Sequence, residues 1–530
     1  MKALDNLEKG TALGEAEEKG GFVAMWVVPM GLIMGLGLVM FMATALLDMP
    51  EGMTLGSLLE DMLRGDFDAS TSAVGQLPQV LIGILGLTLT VSAIVVQLAA
   101  QRYTPKLVDL FLADRVNILS ILAMVLASVY SSWILYSARE NFVHWWGNLT
   151  LTIITSLLLA LLIPYFQYVF QFLTPSNILS NIEGTQNAKI QKASQTHGGQ
   201  SLEKAKNHMA NSMEQVSDIA LSSVNQLDRN VALMSIDTLC LMIRKYIPMK
   251  EKMDPAWFVP HSHHFISISS EYLIEIHDRK IWVETRGFMN LELLFNQSLK
   301  GMPDAVSAIA LNTRHIATTA RDNGDYETLY LCLEYFNTYI RRAVNDRNQR
   351  AVFTMFYQYR RLAEELLASY PKLSEEIATF LQYYGQESIR GGIPFLMLVA
   401  AMDIGTLLEN GFRQKTGGLD TLLNNFLAMS SSEDVRKVAF VHKGVRKAQV
   451  ILAAYLMSTG NHKDALETIH QSLKTEKPEW LTEVRTELLA VNKKKFWEVT
   501  DRGGINFEYM EPAMKEWLKT FYKEYLEKNG

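Results

Sequence analysis

The stretch Phe22 to Leu47, FVAMWVVPMGLIMGLGLVMFMATALL, constrains this chain more than any other. It runs 26 residues without Asp, Glu, Lys or Arg, and a bilayer core of about 30 Å needs about 20 apolar helical residues to cross. Three further uncharged stretches follow, at 80–100, 116–136 and 149–172. Hydrocarbon offers no partner to a backbone N–H or C=O, so each of the four is predicted to be a transmembrane helix. The connections orient the block. Residues 1–21 carry Lys2, Lys9 and Lys19, and the second loop carries Arg102, Lys106 and Arg115. The first loop has Arg64 among Asp48, Glu51, Glu60, Asp61, Asp66 and Asp68, and the third has Arg139 alone. Basic residues collect in cytoplasmic loops, which puts both chain ends in the cytoplasm and Trp145–Trp146 at the outer interface.

Inside these spans only uncharged polar groups occur. An intramembrane charge flags ion or proton coupling, and none is present. Thr88, Ser92, Ser128, Ser131 and Thr155 are candidate pore-lining residues. The same groups also serve as hydrogen bonds between helices or back to their own helix. Gly31 and Gly35 form a GxxxG pair, a face on which two helices approach closely, within one subunit or between copies. In the first outer loop, Leu55, Leu58, Leu59 and Leu63 space an amphipathic helix lying against the membrane.

The stretch QRYTPKLVDLFLADRVN joins the second and third spans, with Pro105 set to open a short helix, and Leu107, Leu110, Phe111 and Val116 fall on one face. Here the chain resembles a family of bacterial inner-membrane proteins known as domain of unknown function 2254. Gln101, Thr104-Pro105-Lys106, Phe111-Leu112 and Asp114-Arg115 carry the likeness. Asp218-Ile219-Ala220-Leu221, Ala232 and Asp237 extend it, although VNQLDRN replaces a proline-containing turn. KIWVETRGFMNLELLFNQS is a third piece, read as a strand followed by a helix, so that the resemblance spans roughly residues 20–320. It implies four membrane helices and a bacterial inner-membrane location, and it carries no known reaction.

Beyond the spans the chain turns polar from 174 to 202, and two helices are predicted over 203–246. In FISISSEYLIEIHDRKIWVE, apolar alternation around His277-Asp278-Arg279-Lys280 predicts a β-hairpin. Helical periodicity dominates from Leu291 onward. Ile393 to Leu408 is strongly apolar, but at 16 residues with Asp403 inside it reads as a buried core helix rather than a fifth span. Residues 447–478 resemble one tetratricopeptide hairpin, with Tyr455 on its first helix, Gly460 at the turn and Ala465 on the second. Such a hairpin implies protein binding.

The chemistry searched for is missing. There is no phosphate-binding loop, no nucleophile elbow and no HExxH. His261, His263 and His264 in VPHSHHF form the one histidine cluster; it lacks Cys or carboxylates at ligand spacing, and a solvated loop accounts for it better than a metal does. Cys240 and Cys332 are the only cysteines and suggest no disulfide framework. A net charge of −6 argues against nucleic acid as a partner. Paired basic residues such as Arg360-Arg361 read as solvated helix faces.

The expectation is therefore a mostly α protein, with no catalytic, cofactor or metal site. A cytoplasmic tail (1–21) precedes a four-helix transmembrane domain (22–173). A cytoplasmic helical domain with a small β-hairpin (174–320) and a helical-repeat-like, tetratricopeptide-like C-terminal domain (321–530) follow. Two functions fit: a homo-oligomeric pore with a cytoplasmic gating domain, or a membrane-anchored scaffold that binds protein partners. The lipid bilayer is a partner in either case.

Overall fold

The computed structural model describes residues 75–137, 139, 145–195, 198–460, 462–496, 504 and 506–526, together with isolated positions between 35 and 72. The first span (22–47) lies for the most part outside the described residues. Gly31, the tail and the outer-loop helix around Leu55 to Leu63 lie there too. The chain divides into two compact units, the first ending at Ile178.

In the first unit α1 (Leu77–Arg102), α3 (Arg115–Ser137) and α4 (Trp145–Phe172) are long and apolar, and the short α2 (Leu107–Leu112) connects α1 to α3. Their burial is one-sided. On α1 the buried positions are Leu81, Ile84, Thr88, Ser92, Val96 and Ala100, a single stripe at helical spacing. Leu81, Ile84, Met124, Ala127, Leu151 and Leu158 pack together in the interior. The outward positions are equally apolar, with Leu98, Leu119, Leu126 and Ile153 more than half exposed. An apolar outside around a packed inside suits lipid as the surrounding solvent, since water would exact a cost of roughly 25 cal/mol for each exposed apolar Å². The connection forms the short helix its sequence predicts, although Val116, read on the same apolar face, sits in the first turn of α3 and is exposed. Thr104 and Pro105 start α2, and Leu107 and Phe111 turn inward.

The second unit is a two-layered stack of helices. The chain enters it along α5 (Pro175–Ala193) and continues through α6 (Gly199–Asn225), α7 (Arg229–Tyr246), α8 (Ser270–Asp278), α9 (Trp282–Ser298), α10 (Pro303–Asp322), α11 (Tyr326–Asn345), α12 (Gln349–Leu366), α13 (Pro371–Arg390) and α14 (Phe395–Gln414). It ends with α15 (Leu419–Ala428), α16 (Glu433–Arg436), α17 (Ala439–Thr459), α18 (Lys463–Leu473), α19 (Pro478–Ala490) and α20 (Pro512–Phe521). One layer runs α7, α10, α12, α14, α17 and α20, each packed on the next, and the other runs α6, α9, α11 and α13. Neighbours within a layer are parallel. Arg244 meets Thr319 and Asp237 meets Asn312, both 75 residues apart, while on α12 and α14 Arg360 meets Asp403 and Glu364 meets Asn410, 43 and 46 apart.

The turns explain the regularity. After α6, Asp228 N–H reaches Ser223 O and Leu227 N–H reaches Val224 O. The same two bonds recur at Asp325 and Gly324 after α10, and at Asn348 and Arg347 after α11. This is the Schellman closure, which needs a left-handed residue at its penultimate position. Leu227, Gly324 and Arg347 supply it with φ of 57°, 69° and 51°. Asp228, Asp325 and Asn348 then cap the next helix by accepting from its backbone N–H groups.

The β-hairpin is not there. Residues 270–278 and 282–298 are α8 and α9, and no strand occurs among the described residues. Ser269 caps α8 by accepting from Tyr272 N–H, and Arg279 reaches back one turn to Glu275. The Asp278-Arg279-Lys280 sequence, read as a hairpin turn, is another Schellman closure: Ile281 N–H bonds Ile276 O, with Lys280 left-handed. The third piece of the family resemblance is likewise one helix throughout, with Trp282 and Val283 buried.

The apolar stretch at 393–408 forms part of α14. Although α14 is long and apolar enough to cross a membrane, 67% of its apolar stretch is buried inside the protein, against 22–28% for α1, α3 and α4.

Candidate functional site

Two sets of polar groups stand out, one in each unit. In the first unit the Tyr165 hydroxyl donates to Asn117 Oδ1 at 2.7 Å and lies 3.3 Å from Ser92 Oγ. One residue type from each of α1, α3 and α4 thus meets at a single point. Asn117 Nδ2 also donates to the Phe111 carbonyl, tying in α2. Asp114 accepts from Asn117 N–H at 3.0 Å, capping α3, and from the Tyr168 hydroxyl at 2.8 Å. An apolar cavity of about 400 Å³ opens beside this knot, with Ser92, Val96, Phe111 and Asn117 in its wall.

All five pore candidates are buried. Thr88 and Ser131 are 0% exposed, Thr155 3%, Ser92 4% and Ser128 9%. Ser128 and Thr155 donate to the carbonyls of Met124 and Leu151 one turn back in their own helices. The hydroxyls of Thr88 and Ser131 have no partner among the described residues. At Gly35 an added Cβ would meet no described atom within 4 Å.

In the second unit a polar cavity of about 580 Å³ lies between α6, the turn at 262–267 and α9. It gathers part of the histidine cluster. The rings of His263 and His264 lie 3.9 Å apart, and His264 Nε2 meets Asn207 Oδ1 at 3.1 Å. His261 instead turns to Glu203, 2.5 Å away. Burial, reinforced by His263, pushes the His264 imidazole down to about 4, so it is neutral at physiological pH. No group of three or more His, Cys, Asp or Glu side chains that could hold a metal occurs among the described residues.

Residues 23–228 match the model of a family described as a predicted membrane protein, domain of unknown function 2254. The matched stretch ends at Asp228, the cap of α7. Of the resembling pieces, Gln101 to Arg115 and Asp218 to Leu221 fall inside it, while Ala232, Asp237 and residues 280–298 lie beyond. No curated protein and no solved structure matches the chain. The geometry gives the first piece of the matched stretch a physical role. Thr104 is buried, Phe111 packs with Val96 and Tyr165, and Asp114 fastens the start of α3 to α4. Within the VNQLDRN turn, Leu227 is left-handed and Asp228 caps α7.

The C-terminal hairpin takes the predicted layout, with α17 and α18 meeting at Gly460, whose φ is 70°. Tyr455 and Ala465 are half-buried. The group that locks this pair is Arg446, which sequence reading passed over. It is 0% exposed and donates to Glu476 at 2.7 Å, Ser472 at 2.9 Å and Thr475 at 3.0 Å. Arg360 also departs from the solvated face expected of it, reaching the buried Asp403 at 3.0 Å. Fully buried ion pairs cannot be read from one sequence, because each partner looks like an ordinary surface charge until the fold brings them together.

Proposed function

We propose that this protein is a non-enzymatic scaffold of the bacterial inner membrane, multi-pass, with both ends in the cytoplasm. Its helical stack is the working part and binds protein partners in the manner of helical-repeat proteins. One observation carries this reading. The five candidate pore-lining residues, Thr88, Ser92, Ser128, Ser131 and Thr155, are 0–9% exposed inside a single chain, whereas the lining of a pore built between copies must lie on each copy's surface. The cation–carboxylate pairs of the second unit also read as structural. Lys250 bridges Glu284 at 2.9 Å and Asp325 at 2.7 Å, tying α9 to the start of α11, and Thr328 completes the set.

A second reading, a homo-oligomeric pore, draws on the unpaired hydroxyls of Thr88 and Ser131. An orphaned hydroxyl in an apolar setting costs about 1–3 kcal/mol unless water reaches it. The mass of the detergent-solubilised protein, with its co-purifying chains identified, separates the two. A stoichiometric complex with a different chain is expected. A closed ring of identical subunits that conducts in proteoliposomes, with conductance altered by Thr88→Phe, would replace the scaffold by the pore.

A further inference from the structure

Where α9 ends and α10 and α12 begin, a cavity of about 220 Å³ opens in the second unit. Among the described residues, none that lines it is acidic. Its walls are rich in donors. The carbonyls that the end of α9 would leave open are already taken: Gln297 O accepts from Lys300 N–H, Ser298 O from Gly301 and Met302 N–H, and Leu299 O from the Asn348 amide. Pro303 opens α10, which has no side-chain cap. With the first turn of α12 in the opposite wall, two helices of 20 and 18 residues start at this one space. The start of a helix attracts negative charge.

The wall also holds a hydroxyl with nothing to bind. Ser298 is 1% exposed, and its Oγ has no hydrogen-bond partner. Ser235 and Thr313, equally buried in α7 and α10, each donate to the carbonyl one turn back. Ser298 makes no such bond and lines the cavity instead. A buried hydroxyl left in this way costs stability until an acceptor reaches it. Lys300 lines the same space. Its ammonium donates to Gln297 Oε1 at 3.3 Å and enters no ion pair among the described residues. Asp304, the second residue of α10, is engaged by Arg229. A compact oxyanion meets all three conditions, accepting from a hydroxyl, an ammonium and a helix start at once. The volume lies below the roughly 300 Å³ at which sites for larger ligands begin, so the enclosed group is a phosphate rather than a whole nucleotide.

We propose that this cavity binds phosphate, as the free inorganic anion or as the phosphate end of a small phosphomonoester, with its oxygens accepting from Ser298 Oγ, Lys300 Nζ and the start of α10. Such a ligand ties the end of α9 to the starts of α10 and α12. The site stands whether or not the stack binds protein partners.

The test uses the full chain in detergent, with ionic strength held constant by chloride. Equilibrium dialysis counts radiolabelled inorganic phosphate bound per chain, and thermal unfolding is followed with inorganic phosphate and with glycerol phosphate. One phosphate per chain is expected, with a saturable rise in the midpoint. General exclusion of phosphate from protein surfaces raises the midpoint without saturating. Tighter binding of inorganic phosphate identifies the free anion as the ligand, and tighter binding of glycerol phosphate identifies an ester. Lys300→Met should weaken binding by about tenfold or more, the loss of a charge-assisted bond. Ser298→Ala removes a hydroxyl that has no partner, so the midpoint without ligand should hold or rise while phosphate affinity falls. An added Cβ at Gly301 meets only Leu227 Cδ2, at 3.8 Å, so Gly301→Glu should fold and fail to bind, its carboxylate opposing the anion. The proposal is overturned if neither ligand binds saturably up to about 10 mM. Undiminished binding in Lys300→Met, Ser298→Ala or Gly301→Glu overturns it as well.

Discussion

Leu227 is an apolar side chain, 65% exposed, in a backbone conformation that L-residues avoid. It stays there because the two Schellman bonds and the Asp228 cap determine the turn from both sides. The equivalent position after α10 is already Gly324, where no Cβ opposes the left-handed region. Leu227→Gly should therefore stabilise the second unit by about 0.5–1 kcal/mol, the left-handed strain relieved less the entropy that glycine adds to the unfolded chain. Urea unfolding of the wild-type and variant proteins measures it. An unchanged or lower midpoint would mean that the leucine side chain makes contacts worth more than its strain.

At the scale of elements, the membrane helices were legible because their signal is compositional and survives any tertiary arrangement. The α8–α9 pair was not. Its apolar residues satisfy alternation and helical spacing about equally over a short window, and the decision fell to Ser269, Glu275 and Arg279, whose capping and side-chain bonds favour the helix. The cavity between α6 and α9 was half legible. The histidines of VPHSHHF drew notice, but Arg286 and Asn211 have no sequence signature, since only the packing of α6 on α9 brings them together. The helix α14 tests the other side of this reasoning, because its composition alone would admit a span. Its Asp403 is 2% exposed and bound to Arg360, and removing one member of a buried pair leaves the other uncompensated. Asp403→Leu makes α14 more apolar, yet it should destabilise the protein by about 3–5 kcal/mol. A topology reporter placed after residue 418 should occupy the same compartment as one placed after residue 196. Opposite compartments would make α14 a span and remove the stack as a single unit.

For the whole molecule, pH brings opposed buried groups into play. His208, His264 and His315 are each pushed down to about 4, mainly by burial. The unfolded chain then binds protons that the folded one refuses, so stability present above about 6.5 is lost as pH falls toward 4. Glu409 acts the other way. Burial raises its carboxyl to about 7, against the smaller pull of Arg413, so the folded state holds a proton there that the unfolded chain has released. Its contribution is present at low pH and is lost as pH rises from about 4.5 through 7. Three histidines against one glutamate predict a thermal midpoint that falls on acidification between pH 6.5 and 4.5. Glu409→Gln cannot ionise, so it should raise the midpoint at pH 8 and leave it nearly unchanged at pH 5, steepening the acid-side decline. If the variant instead shifts the midpoint equally at both pH values, Glu409 is hydrated, and the cause lies in the contacts it shares with Tyr455 and Arg413 rather than in its proton. The acid loss itself must survive in that variant, because the histidines responsible for it sit on α6, α10 and the turn before α8, away from α14.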